Sequence, residues 1–264
     1  MQAQSSRPIN TFTIGFAEAE YNEAEHAMAV AAHLGTNHTE LYVTPDEARA
    51  VIPLLPQIYC EPFADSSQIP TYLVSKLARR HVTVALSGAA GDELFGGYNR
   101  YQIAQRVWRG LSRIPAPLRG AAAASMRALP PSGWDHILKP LRFALPRQLR
   151  VQHPGEKVHK LAGVVSMASL DDVYMRLISQ WPSPGAVVPG SREPETPLNT
   201  AARLPAALSQ PLARMSYLDL VTYLPDDILV KVDRAAMAVS LETRVPLLDH
   251  RVVEFAWRIP PQLK

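Results

Sequence analysis

The stretch Leu86-Ser87-Gly88-Ala89-Ala90-Gly91-Asp92-Glu93 constrains this chain more than any other, because it joins an apolar segment to a helix start through a turn of small residues. Val82 to Leu86 is short, β-branched and apolar, which reads as a buried strand. Small side chains after Ser87 let the backbone come close to a ligand, and the N–H groups opening the next helix point at an anion. Asp92 and Glu93 suit the positive end of that helix, yet they would repel a phosphate. A divalent cation between carboxylate and phosphate removes the conflict, so the turn reads as a phosphate cradle that works with a metal.

The first ninety residues alternate in the way a parallel sheet with flanking helices requires. Thr11 to Phe16 and Thr39 to Val43 read as strands. Asn22 to Leu34, Pro45 to Tyr59 (with Pro interruptions) and Ser66 to Arg80 read as helices, and the strand into Ser87 closes the series. Ligands of such sheets bind beyond the carboxyl ends of the strands, where Ile14-Gly15-Phe16 and Ser87-Gly88 both lie. From about 105 to 211 the chain turns Arg-, Ala- and Pro-rich and reads as an all-helical insertion, with Trp181 to Pro197 as a loop. Helix resumes near Leu212, with Asp226 as N-cap of a segment whose Ile228, Val232, Ala235 and Val239 form one apolar stripe and whose Asp233 sits at its margin. The fold class expected is therefore α/β: a nucleotide-binding part at 1–104, a basic helical insertion at 105–211 and a helical part at 212–264.

Charge is unevenly spread. Residues 1–93 carry 5 Lys+Arg against 11 Asp+Glu, residues 94–170 carry 12 against 2, and residues 171–264 carry 10 against 11. Few aromatics interleave with the basic island from Arg100 to Lys160 and no base-reading motif is visible, so a solvated or interdomain face is expected and nucleic acid is disfavoured. No apolar run approaches the roughly 18 residues of a membrane span, and the polar start is not a signal peptide, so the expected location is the cytoplasm. Cys60 reads as a buried structural thiol. His26, His33 and His38 lack a third-ligand arrangement and read as packing or surface, not zinc. Ser66 and Ser67 read as caps of the following helix, and Glu242 with Arg244 as an ion pair fixing a helix exit.

A second block, Tyr223-Leu224-Pro225-Asp226-Asp227-Ile228-Leu229-Val230-Lys231-Val232-Asp233-Arg234 running on to Leu241-Glu242-Thr243-Arg244-Val245-Pro246-Leu247-Leu248-Asp249, follows the first by about 130 residues. Together with Ser87 to Tyr98, it resembles the synthetase domain of the glutamine-dependent asparagine synthetases. That family's signature runs Ser-Gly-acid-Gly-(Gly or Ser)-Asp-Glu and continues Leu-Phe-Gly-Gly-Tyr. The resemblance implies an adenine nucleotide alpha hydrolase-like fold and ATP with Mg2+. It also implies amidation of a small carboxylate, aspartate, through an acyl-adenylate, with ammonia from a glutaminase domain that this chain does not contain. By position, Ile14 would contact adenine through its backbone, Ser87 and Gly88 would lie along the nucleotide, Asp92 would bind magnesium and Asp233 would line the substrate side.

The family's acid is Ala89 here and its following glycine is Ala90, and an alanine can neither move a proton nor carry charge. The resemblance also implies a pyrophosphate-gripping Ser-Gly-Gly-x-Asp-Ser loop before Thr11 and a Lys-bearing segment after Pro261, so the chain reads as a piece truncated at both ends. In the family's sheet the strand with that loop lies between those at Thr11 and Val82. Its absence leaves a gap, and self-association is expected. Two readings stand side by side: an impaired amide-forming ligase, or a nucleotide-binding remnant without catalysis.

Overall fold

The computed structural model describes residues 1–16, 24–138, 154–179, 181, 184–199, 204 and 208–264. The expected helix start at Asn22 and the basic positions Arg142, Arg147 and Arg150 lie outside these. The chain divides into two compact units, one formed by residues 1–95 and 219–263, the other by residues 96–218.

The first unit is mixed α/β. Strand β1 (Asn10–Phe16) is followed by α1 (Ala24–Leu34) and β2 (Asn37–Val43). A helical crossover between the two strands permits parallel pairing, and β1 and β2 pair in parallel with Ile14 opposite Leu41. Helix α2 (Pro45–Val51) opens on a capping box in which Thr44 accepts from the Glu47 N–H and Glu47 accepts from the Thr44 N–H. After a 3-10 turn come α3 (Leu55–Tyr59) and α4 (Gln68–Arg79). Strand β3 is only Val84–Leu86, followed by the short helix α5 (Gly91–Phe95).

Strand β3 pairs in parallel with β4 (Glu242–Arg244), a strand the sequence pattern does not announce, through Val84–Glu242, Ala85–Thr243 and Leu86–Arg244. Among the described residues β1 and β3 do not pair with each other: the unit holds two two-stranded sheets. They nevertheless share one apolar core, in which Phe12 of β1 and Ala85 of β3 pack on Ala78, Ala236 and Leu241. A second core joins Ala90 and Leu94 to Leu224 and Ala256.

The expected N-cap at Asp226 is overturned. Leu224–Leu229 is a π-helical stretch that passes directly into the helix Val230–Met237, and the Asp226 N–H donates to the Thr222 carbonyl at 2.9 Å. A wide π turn absorbs Pro225, which lacks an N–H, without ending the helix there. Cys60 is also corrected: it is exposed, at a left-handed φ of 63° that ends α3.

The second unit is helical: α6 (Asn99–Leu111), α7 (Ala116–Arg127), α8 (Pro131–Leu138), α9 (Pro154–Val165), α10 (Leu170–Ile178), a single turn α11 at Pro184–Val187, and most of α12 (Pro211–Val221). Its core gathers Tyr101, Ala104, Val173, Tyr174, Met215 and Leu218. Ser169 caps α10 in a second capping box with Asp172, and Asp171 holds Arg214 with two bonds of 2.7 Å. No helix among the described residues is long and apolar enough to cross a membrane.

Candidate functional site

Strand β3 delivers its last residue to a turn that the chain itself braces. The Ser87 N–H donates to the Arg244 carbonyl at 2.8 Å, tying the turn to β4. The Ser87 hydroxyl accepts from the Ala89 N–H at 3.2 Å, and the Gly91 N–H donates to the Gly88 carbonyl at 3.3 Å. Ala90 then takes a left-handed φ of 72° while burying its methyl group, a conformation that costs a residue with a Cβ about 1–2 kcal/mol. The glycine of the family's pattern would adopt it freely.

Two features make this turn open to a ligand. Gly88 is exposed, and a Cβ built on it would meet nothing within 4 Å, so no atom of the described residues demands a glycine there. Asp92, in the first turn of α5, is exposed and makes no hydrogen bond or ion pair among the described residues, whereas its neighbour Glu93 is 1% exposed. Ala89, where the resembled signature has an acid, presents a half-buried methyl. A polyphosphate with its magnesium ion fits this set: small residues for close approach and one free carboxylate for the metal.

Ile14 lies near the carboxyl end of β1, beside Gly15. A Cβ on Gly15 would stand 2.7 Å from the Tyr42 ring, so this glycine is set by packing. Strand β1 pairs on one side only among the described residues, which leaves the backbone groups of its other edge unpaired.

At the carboxyl ends of β3 and β4 an open groove of about 640 Å³ is lined by Leu86, Arg244, Pro246, Asp249, Arg251 and others. Arg244 and Glu242 form a 2.7 Å pair on strand β4, both largely exposed, so the pair flanks this groove and does not fix a helix exit. Asp249 caps α14 (His250–Arg258) by accepting from the Arg251 N–H, and it takes the Arg251 guanidinium with both oxygens. Those bonds hold its carboxyl far below the usual range. The groove was not legible in the sequence, because only the β3–β4 pairing brings Arg244 beside Leu86.

The same unit holds a polar cluster that sequence reasoning missed. Lys231, 7% exposed on α13 (Val230–Met237), donates to Asp65 at 2.5 Å and to the Ser67 hydroxyl at 2.7 Å. Ser67 in turn donates its N–H and hydroxyl to Asp65 at 2.8 and 2.7 Å. Ser67 therefore makes no side-chain cap on α4, because its hydroxyl is committed to Asp65 and Lys231. Burial pushes the Asp65 carboxyl up, but the bonds from Lys231 and Ser67 outweigh it and the group lies below its ordinary value. Tyr59, buried against this cluster, donates to the Lys231 carbonyl at 3.4 Å, and burial, then the Asp65 and Asp227 charges, raise its phenol to about 12.

Asp233, two residues after Lys231, is exposed and forms no bond to its neighbour Arg234 or to any other described residue. The structure thus brings Ser87, Gly88, Ala89 and Asp92 together in one turn, while no described bond or groove joins Asp233 to them. His38 is engaged with the Thr11 hydroxyl at 2.8 Å, and no metal-binding group of three His, Cys, Asp or Glu exists among the described residues.

The asparagine synthase family model matches residues 1–264. A putative glutamine-hydrolysing asparagine synthetase of Mycobacterium bovis is 34% identical over 256 residues, covering 96% of this chain and 36% of that protein. This chain belongs to the asparagine synthase family. Glutamine-hydrolysing asparagine synthetase 1 of Bacillus subtilis is 30% identical over 262 residues, covering 97% of this chain and 37% of its own length. A putative glutamine-hydrolysing asparagine synthetase 2 of Methanocaldococcus jannaschii is 44% identical over 90 residues. The chain spans just over a third of the length of the first two relatives.

Proposed function

We propose that this chain carries the nucleotide-binding and amide-forming part of an asparagine-synthetase-type ligase. Gly88 carries the reading: an exposed glycine at the end of β3 that no protein contact requires, four residues before a free carboxylate. In the reaction, an oxygen of the substrate carboxylate attacks the α-phosphate of ATP and pyrophosphate leaves. Ammonia from a glutaminase domain then attacks the acyl carbon, and AMP leaves with its bonding pair. The backbone at Ile14 would contact the adenine, Ser87 and Gly88 would lie along the nucleotide, and Asp92 would hold magnesium, which when bound would neutralise phosphate charge. Asp233 faces the carboxylate substrate in this reading, and the cytoplasm is where the substrates are at hand.

Ala89 favours a second reading, in which the turn binds nucleotide without forming amide, since the site lacks the acid that would handle the amine's proton. Calorimetry of ATP binding tests the shared part. Magnesium should strengthen wild-type affinity by tenfold or more, and Asp92→Asn should remove most of that gain with the fold intact, because a neutral side chain still suits a helix start. Equal affinity with and without magnesium would count against the site. Release of AMP in the presence of aspartate and ammonia separates the two readings.

A further inference from the structure

The two compact units carry opposite charge. The unit formed by residues 1–95 and 219–263 holds 10 Lys+Arg against 18 Asp+Glu, and residues 96–218 hold 16 against 6. In the basic unit, residues 96–134 contain six arginines, no lysine and no carboxylate. Three of these arginines follow helical spacing on and just past α6: Arg106, Arg109 and Arg113. At about 100° per residue they fall within an arc of about 60° and along about 10 Å of helix axis.

The opposite side of α6 buries Tyr101, Ala104 and Leu111, so the stripe points away from the unit's core, and all three arginines are exposed. None forms an ion pair or hydrogen bond among the described residues, whereas Arg119 and Arg127 of the same unit donate to carbonyl groups. Like charges at these spacings destabilise a helix. The helix dipole favours a cation in the last turn, but it does not account for a stripe that begins at Arg106.

We propose that this arginine stripe docks the acidic unit of a second copy of the chain. Charge complementarity within one sequence supports a second copy as the occupant. Ile114 and Leu118, exposed and next in the chain after the stripe, supply apolar area that suits a protein surface better than a phosphate backbone. A like-charged stripe cannot meet itself across a two-fold axis, so it meets the acidic unit, either reciprocally across a two-fold axis to give a dimer or head to tail. The inference is independent of the nucleotide site, since none of the three arginines belongs to it.

The experiment is sedimentation velocity on the nuclease-treated chain at about 50 mM and about 500 mM salt, a range over which screening of exposed charges becomes severe. The wild type should exceed the mass of one chain at low salt and return to a monomer at high salt. The triple variant R106E/R109E/R113E should be monomeric at both. It keeps its acidic unit, so mixed with wild type at low salt it should still enter one-to-one complexes through the wild-type stripe, although it forms none alone. R106Q/R109Q/R113Q, which retains the polar helix face, should repeat the result if the glutamates perturb folding by circular dichroism. A wild type that is monomeric at low salt, a variant that associates like the wild type, or association that requires a nuclease-sensitive nucleic acid would overturn the proposal.

Discussion

Removing Asp65 should destabilise the first unit more than any other single change at its polar cluster. Lys231 and Asp65 have side chains only 9% and 16% exposed, and their 2.5 Å contact is supported by Ser67 on both partners. Asp65→Ala leaves the Lys231 ammonium buried with the Ser67 hydroxyl as its one remaining polar partner among the described residues. Breaking a buried pair from one side costs about 3–5 kcal/mol, and the residual solvent contact of Asp65 places this case near the lower figure. At about 2–4 °C per kcal/mol for units of this size, scanning calorimetry should register a fall of about 6–12 °C. The double variant D65A/K231M should lose at least about 1 kcal/mol less than the sum of the singles, because no charge is then stranded. The native Asp65 carboxyl lies below its unfolded value, so its contribution is complete above the unfolded value of about 4 and fades as pH falls through the native one. The gap between wild type and Asp65→Asn should therefore narrow as pH drops below about 4. Additive singles, each costing under about 0.5 kcal/mol, would refute the reasoning.

Two further outcomes follow from neighbouring geometry. Tyr59 titrates near 12 in the native chain against about 10 unfolded, so it stabilises fully below pH 10 and loses that contribution as pH rises to 12; Tyr59→Phe should flatten the alkaline arm of the unfolding profile. Ser169→Ala removes the side-chain half of a capping box on α10 and should cost about 1 kcal/mol in urea titration, with ATP binding unchanged.

Much of the α/β part was legible because its signals are local. Apolar runs at Thr11 to Phe16 and Thr39 to Val43, separated by a helix, leave parallel pairing as the simple solution, and β1 and β2 pair so. Strand β4 was not legible: Glu242, Thr243 and Arg244 are three residues with no apolar run, and they become a strand only because Val84 to Leu86 offers an edge. Asp226 misled because Leu-Pro-Asp ordinarily opens a helix, and nothing local announces that a π turn can carry Pro225 through. The turn at Ser87 could be read from its small residues alone, but Lys231 could not, since its partners lie more than 160 positions away. Ala90 is a local departure from good backbone chemistry, and such departures gather at functional turns.

The most direct test of the nucleotide site is Gly88→Ala, read by both melting temperature and ATP affinity in magnesium. With nothing within 4 Å of the added methyl and no left-handed φ at this position, the protein itself has no reason to object. Loss of backbone freedom in the unfolded chain should leave stability unchanged or raise it by up to about 1 kcal/mol. A phosphate drawn against the backbone would meet the methyl directly, so affinity should fall tenfold or more, equivalent to about 1.4 kcal/mol. A variant that melts at or above the wild-type temperature and binds ATP weakly supports the account; one that melts normally and binds ATP as tightly as the wild type contradicts it.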